Sequence, residues 1–257
     1  MFGYAWGRFL IGALLLKIRR GETPFYRRLK NVAKGVRSST LPLPHFVYPA
    51  LRIGFHLQQG VLAAGRWSFS YFCREPLFRG RCVSVGKRFH LGRMPFVVGH
   101  TRIHIGDDVN FFGKVDIYSG RIFDEPTLII KDRVDIGYGV SFVVNKEIVI
   151  EEDVNVAGGV AFMDSDAHPK DVMERIADLP PGADEIKPVR ICRRAWIGRN
   201  SIILKGVTVG EGAVIGVNSV VVSDIPPYAV AMGNPARVVI KGAPKPAVKQ
   251  AEGTPIS

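Results

Sequence analysis

The residues with the clearest chemical potential lie around one histidine, His168. Three carboxylates stand near it in the chain, Asp164, Asp166 and Asp171. Because an unperturbed imidazole changes charge at about pH 6.5, a histidine is suited to remove the proton from an attacking hydroxyl group. A neighbouring carboxylate would hold one tautomer and stabilise the imidazolium, and the sequence does not choose among the three. The segment therefore predicts a general base at His168; an ordinary exposed loop histidine is the alternative.

The sequence does not supply the parts of a covalent or metal mechanism. No serine or cysteine nucleophile motif accompanies His168, and Cys73, Cys82 and Cys192 have no C-x-x-C spacing. Three cysteines give neither a paired disulfide framework nor a zinc ribbon, which favours a reducing compartment. We therefore expect direct transfer, with backbone N–H groups stabilising the oxyanion and with no metal ion.

A six-residue repeat indicates the scaffold that must position this histidine. Large aliphatic side chains recur at every sixth position near the C-terminus, and similar triplets start at residues 85, 105, 130 and 150. The longest run is Ile191, Ile197, Ile203, Val209, Ile215 and Val221. Three short extended segments then close one coil of about 18 residues, and the aliphatic side chains stack inward in columns. The pattern predicts an all-β solenoid of about six coils over residues 83–241.

One coil is much longer than the others. The coil that starts at Ile150 is followed by the next at Ile191, so about 23 extra residues leave the solenoid as a loop over residues 163–190. His168 lies in this loop. A long loop on a regular scaffold is a common location for a functional site, which adds to the prediction for His168.

Four motifs carry a family resemblance. They read DAHPKDVMER at 166–175, KPVRI at 187–191, AWIG at 195–198 and GNPARV at 233–238. In this order they resemble the hexapeptide-repeat acyltransferases, most closely the branch of maltose, galactoside and exopolysaccharide O-acetyltransferases. The resemblance covers residues 85–241 and leaves residues 1–82 without a counterpart.

The resemblance implies a left-handed parallel β-helix, a homotrimer, and an active site between subunits that binds acetyl-CoA or another acyl-CoA. It implies that His168 is the base; Asp166 and Asp164 are its expected catalytic partners on the chemical argument given above. The residues it implies at the CoA site are Trp196, Arg237 and Lys241. The sequence departs from that of the relatives at two places that concern the CoA contact. Ser223 precedes Asp224, where many relatives have lysine, and residues 191–194 read ICRR, which differs from the usual motif of the relatives. A CoA contact would then come from Arg193, Arg194 or Lys205.

The predicted function is transfer of an acyl group, most simply acetyl, from CoA to a hydroxyl of a sugar or cell-envelope glycan. Three alternatives stay open. In the first, the acceptor atom is the nitrogen of an amino or nucleotide sugar. In the second, the chain is a non-catalytic trimeric scaffold. The third alternative, a zinc enzyme of the γ-carbonic-anhydrase type, would need convergent imidazoles, and the spacing of His90, His100 and His104 does not provide them.

The N-terminal region is basic and aromatic. Residues 1–82 contain 14 Lys and Arg but only Glu22 and Glu75, so they hold the whole net charge of +12. This region, partly helical, predicts a membrane-surface or oligomerisation arm; nucleic acid is the less favoured anionic partner. The apolar run Met1–Leu16 is too short for a bilayer span of about 20 residues and indicates an interfacial helix instead. A helix packed on the protein's own body or in an oligomer interface is the alternative.

Two shorter predictions complete the domain organisation. The prolines of residues 41–60 indicate a connector, and residues 242–257 indicate a disordered tail. The expected location is cytoplasmic, with peripheral association at the inner face of the membrane as an open alternative.

Overall fold

The computed structural model describes residues 14–38, 40 and 43–242. The chain divides into two compact units between Val61 and Leu62. The predicted interfacial helix Met1–Leu16 and the predicted tail 242–257 lie almost entirely outside the described residues.

The N-terminal region is helical. Residues 14–20 form a helical segment, and helix α1 spans Pro24–Ser38. A 3-10 turn at His45–Val47 leads into helix α2, Tyr48–Phe69. The prediction of a connector over residues 41–60 is therefore wrong. Pro49 lies in the first turn of α2, where its missing N–H would have no helical partner and its fixed φ suits the helix.

The second unit continues through a π-helical turn, Ser70–Arg74, into helix α3, Glu75–Arg81, and then into three sheets. The strands of the first sheet are β1 Ser84–Val85, β4 Arg102–Ile105, β7 Thr127–Ile130, β10 Glu147–Ile150, β13 Val189–Ile191 and β16 Thr208–Val209. Those of the second are β2 His90–Leu91, β5 Asn110–Phe111, β8 Asp135–Ile136, β11 Asn155–Val156, β14 Trp196–Ile197, β17 Val214–Ile215, β19 Val230–Gly233 and β20 Ala236–Ile240. Those of the third are β3 Phe96–Val98, β6 Val115–Ser119, β9 Val140–Val144, β12 Ala161–Met163, β15 Ile202–Ile203 and β18 Val220–Val221.

Successive strands visit the three sheets in turn, so the chain winds as a three-sided coil. Each strand pairs in parallel with the strand one coil later, except that β20 returns antiparallel to β19. The predicted columns are confirmed by the register of these pairs. In the second sheet, Val156 pairs with Ile197 and Ile197 with Ile215; in the third, Phe162 pairs with Ile203. All five side chains are at most 4% exposed.

The two ends of the coil are closed differently. At the N-terminal end, Phe78 of α3 packs on Phe89 and Phe111, with ring centroids about 6 Å apart. Arg74 donates from Nη1 to the carbonyl of Gly92 at 3.0 Å. At the C-terminal end, the β19–β20 hairpin extends the second sheet. The predicted all-β fold, a left-handed parallel β-helix preceded by a partly helical segment, is confirmed.

Glycines follow the inward aliphatics because neighbouring coils approach closely there. A Cβ added to Gly198 would lie 2.5 Å from the carbonyl oxygen of Ile215. Gly80 in α3 differs, since a Cβ there would meet nothing within 4 Å. The two positions therefore separate the effect of close coil packing from the general effect of replacing a glycine.

We expect Gly198→Ala to lower the free energy of unfolding by about 1 to 3 kcal/mol, because the added methyl forces two coils apart. We expect Gly80→Ala to raise it by about 0.5 to 1 kcal/mol, because alanine reduces the entropy lost on forming a helix. Urea unfolding followed by circular dichroism measures both. Equal effects in the two variants would show that coil contact does not restrict Gly198.

Charged side chains of opposite sign pair along one corner of the coils. Arg88 and Asp108 form a two-pronged ion pair, and Arg133 repeats it with Asp153 through Nε and Nη2 at 2.6 and 3.0 Å. All four residues have a positive φ of 53° to 61°. The hydrogen bond from each arginine lowers the pKa of its aspartate below the ordinary value.

These lowered pKa values predict a small loss of stability in acid. A carboxyl whose pKa is lower in the folded state stabilises the fold at a pH above its unfolded pKa of about 3.9. That contribution disappears as the pH falls through the folded pKa. We expect Arg133→Met to lower the melting temperature at pH 7, modestly because the pair is exposed, and the difference from the parent to be smaller at about pH 3. Calorimetry at both pH values checks this, and a difference independent of pH would contradict it.

Candidate active site

The predicted loop begins at a buried carboxylate. It leaves the third sheet after β12 and enters the first sheet at β13, so it emerges at the corner between these sheets. Asp164, the first residue after β12, has no exposed surface. Its carboxylate accepts hydrogen bonds from the backbone N–H groups of Asn145, Lys146 and Glu147, at 2.6 to 3.0 Å. Asp164 thus fastens the start of the loop to the preceding coil.

Two features of this environment have opposite effects on the pKa of the Asp164 carboxyl. Burial raises the pKa of its carboxyl above the ordinary value, and the N–H groups of residues 145–147 oppose that rise. The structure gives both oxygens backbone partners and records no contact with His168. The predicted catalytic role of Asp164 stays a prediction.

His168 follows a strained turn. Ala167 has a φ of +66°, a left-handed conformation that is unfavourable for residues with a Cβ. Its N–H group donates to Oγ of Ser165 at 3.1 Å, and Ser165 is only 1% exposed. His168 itself is exposed, and the next residue, Pro169, is buried. The turn therefore presents the imidazole to solvent between two buried residues.

Asp166 pairs with a lysine from the next coil. Nζ of Lys205 donates to Oδ2 of Asp166, and Lys205 is mostly buried, with 18% of its side chain exposed. Lys205 follows β15 at the same corner from which the loop emerges. The structure therefore brings together a predicted catalytic residue, Asp166, and a predicted CoA-binding residue, Lys205.

The rest of the loop is also held in place. Asp171 caps helix α4, Val172–Ile176, by accepting from the N–H groups of Met173 and Glu174 at 2.8 and 3.0 Å. Arg175 reaches back and donates to the carbonyls of Pro169 and Lys170. Asp171 therefore has a structural partner, and His168 lies in a segment fixed on both sides.

The other predicted CoA-binding residues belong to a different face. Trp196 in β14 is 56% exposed on the outer side of the second sheet. Arg237 in β20 and Lys241 just after it extend the same sheet, and Arg237 is exposed. In a three-sided coil the second sheet lies opposite the corner between the third and first sheets. Within one chain, Trp196 and Arg237 are thus on the far side from Asp166 and Lys205.

The supporting residues were not identified from the sequence. The turn 145–147 that binds Asp164 lies one coil earlier, and no six-residue signal marks it. The left-handed Ala167 is equally unmarked, since alanine has no preference for this conformation. Only the register between coils shows that Lys205 is a neighbour of Asp166.

The described cysteines and histidines form no second catalytic or metal centre. Burial raises the pKa of Cys82 to about 11 and also raises that of Cys192, so both thiols are protonated at neutral pH. His104 contacts Oγ of Ser84 and His100 contacts the carbonyl of Phe123, each at 3.0 Å. Over residues 14–38, 40 and 43–242, no three His, Cys, Asp or Glu residues are grouped as metal ligands.

Comparison with known proteins agrees with the repeat. A family model described as bacterial transferase hexapeptide (six repeats) matches residues 188–223. Residues 188–223 are therefore similar to bacterial transferase hexapeptide repeats. These hexapeptide repeats form the last coils of the solenoid, from β13 to β18, directly after the loop that bears His168.

Curated relatives match part of the chain. A candidate acetyltransferase of Staphylococcus aureus (strain COL) is 48% identical over 60 residues, which are 23% of this chain and 30% of that protein. One of Saccharomyces cerevisiae is 38% identical over 95 residues, 37% of this chain and 46% of that protein. The chain thus spans less than half the length of these relatives.

A solved structure matches the fold over a longer range. A point mutant of the N-acyltransferase AntD from Bacillus cereus, in complex with dTDP and coenzyme A, superposes with a TM-score of 0.51. The match covers 67% of this chain and 91% of that chain at 18% sequence identity. It supports the β-helical fold of the hexapeptide repeats.

Proposed function

We propose that this protein transfers an acyl group from acyl-CoA to the hydroxyl group of a saccharide. The observation that carries the proposal is an exposed imidazole, His168, held on an anchored loop beside the hexapeptide repeats. The names of the curated relatives and the transferase family model support an acyl-transfer reaction. The branch of maltose, galactoside and exopolysaccharide O-acetyltransferases stays a prediction.

The proposed reaction is a direct transfer. His168 accepts the proton of the acceptor hydroxyl as the oxygen attacks the thioester carbon. The oxyanion of the tetrahedral intermediate is stabilised by backbone N–H groups. The carbon–sulfur bond then breaks, and the CoA thiolate takes the proton back from the imidazolium. The products are the acyl ester and free CoA, and the imidazole is regenerated.

The loop contacts support this role by fixing the imidazole before substrate binds. Asp164 attaches one end of the segment, and Arg175 attaches the other through the carbonyls of Pro169 and Lys170. A base held in position loses little conformational entropy in the transition state. Lys205 neutralises Asp166, two residues before His168 in the chain, which limits the repulsion of an approaching CoA phosphate.

We propose that the complete site lies between subunits of a homotrimer. His168 and Lys205 lie at one corner of the chain, whereas Trp196, Arg237 and Lys241 lie on the opposite sheet. A CoA molecule that contacts both groups would therefore lie between the corner of one copy and the second sheet of the next. In this arrangement Arg237 and Lys241 bind phosphate and Trp196 packs on the thioester arm.

The test is acceptor-dependent release of free thiol from acetyl-CoA by the full-length protein. Neutral oligosaccharides, cell-envelope glycans and amino sugars serve as acceptors, and mass spectrometry identifies the acetylated atom. We expect thiol release in proportion to O-acetyl product. Products labile to mild base are esters, whereas stable amides would overturn the O-transfer proposal in favour of N-transfer. Failure of every acceptor and acyl-CoA would overturn acyl transfer itself.

A further inference from the structure

Helix α1 is unusual in its charge. Over Pro24–Ser38 it contains no acidic residue. Four basic residues with described side chains lie along it, Arg27, Arg28, Lys30 and Lys34, and all four are exposed. With about 1 kcal/mol of attraction per basic residue near a negatively charged membrane, such a helix is strongly attracted to an anionic surface.

The same helix leaves an apolar stripe uncovered. Phe25, Leu29 and Val32 are spaced by four and three residues, which places them on one side of a helix. Their exposed fractions are 67%, 41% and 62%. Arg27 and Lys34 fall on the opposite side, seven residues apart. The helix therefore separates a basic side from an apolar side, and the described residues of the chain leave the apolar side exposed.

The second unit carries a separate segment of similar chemistry. Between Arg66 and Arg74 lie four exposed aromatic residues, with 53% to 70% of their surfaces accessible: Trp67, Phe69, Tyr71 and Phe72. The rings of Trp67 and Tyr71 are stacked with centroids 5.5 Å apart, and the guanidinium of Arg74 lies over the ring of Phe69 at 4.8 Å. Aromatic and cationic side chains in this combination prefer the boundary between membrane and water.

We propose that α1 binds the surface of an anionic phospholipid bilayer, with Phe25, Leu29 and Val32 in the headgroup region and the basic side facing phosphates. A bilayer surface satisfies both sides of the helix at once. A nucleic acid would neutralise the basic side but leave the apolar stripe in water. A second copy of α1 would cover the stripe but add like charges. Within the described part of the chain, no helix has the length and hydropathy to cross a bilayer.

The test is co-sedimentation of the full-length protein with vesicles of phosphatidylcholine alone or with about one third phosphatidylglycerol. We expect binding to the anionic vesicles, at least about tenfold weaker partitioning to the neutral ones, and weakening by salt. Equal partitioning to both vesicles would overturn the proposal.

Two variants of equal charge separate the apolar stripe from electrostatics. Leu29→Glu with Val32→Glu places two carboxylates in the stripe, and Asn31→Glu with Ser38→Glu places two on the polar side. We expect the stripe variant to partition at least about tenfold more weakly than its control, because burial of two aliphatic side chains is lost. If vesicle binding were weakened equally in both variants, charge alone would account for the binding, as it would for a nucleic acid, and the proposal would be overturned.

Two further measurements exclude other occupants. Sedimentation without vesicles reports self-association, and a stripe variant that changes the oligomeric state of the protein would assign the stripe to a second copy. Deleting residues 1–13 tests the apolar N-terminal run. We expect vesicle binding to persist in this truncated protein. If the truncated protein lost vesicle binding completely while the stripe variant kept it, the assignment of binding to α1 would be overturned. None of these results depends on the proposed transferase activity.

Discussion

His168→Ala is expected to lower the turnover number of acyl transfer about a thousandfold, within the range that general-base catalysis contributes. The imidazole acts on the proton that moves in the transition state. We therefore expect kcat to fall and the KM for acetyl-CoA to change little. The melting temperature is expected to stay constant, because His168 is exposed and the structure records no hydrogen bond to its ring.

The control for this variant is His90→Ala. His90 is another exposed histidine of the β-helix, on the outer side of the second sheet. Steady-state kinetics with saturating acceptor compares the two variants with the parent. Full turnover in His168→Ala would remove the imidazole from the reaction, and an equal loss in His90→Ala would indicate an indirect effect.

Asp164→Asn is expected to have the largest effect on stability among the site residues. The amide offers one acceptor oxygen in place of two, and its NH₂ group would face backbone N–H groups of residues 145–147. A buried donor left without a partner costs about 1 to 3 kcal/mol, so we expect a loss of about 2 to 4 kcal/mol. The start of the loop would detach from the preceding coil, and turnover would fall with it.

Asp166→Asn serves as the comparison for Asp164→Asn. Its side chain is 45% exposed, and its partner is Lys205. A largely exposed pair contributes little to stability, so we expect a change under about 1 kcal/mol. Chemical unfolding of both variants, followed by circular dichroism, measures the difference. Equal stability of the two variants would contradict the anchoring role of Asp164.

The β-helical core follows directly from the sequence. Ile197 and Ile215 are buried one above the other because an inward position recurs at every sixth residue and a coil uses three of these repeats. The length of the inserted loop follows from the same arithmetic, since an aliphatic column is interrupted between Phe162 and Ile191. The six-residue period is enough to predict the core because each coil packs side chains at the same inward positions.

The site itself depends on contacts that no periodicity encodes. The pairing of Asp166 with Lys205 joins two turns of the solenoid across 39 positions of sequence. The anchoring of Asp164 depends on the backbone of another coil, which carries no side-chain signature. Helix α2 was missed for a different reason: Pro49 usually indicates a break, but in the first helical turn it is favourable.

The most direct test of the account is complementation between two inactive chains, because His168 and the pair Trp196 and Arg237 lie on opposite sides of one chain. One chain carries His168→Ala, and the other carries Trp196→Ala with Arg237→Ala. The two are unfolded together, refolded as an equal mixture and assayed for acceptor-dependent thiol release. If the site lies between subunits, each parent is inactive and the mixture regains roughly a quarter of the activity of the unaltered protein. A mixture as inactive as its parents, or full activity in either parent, would contradict it.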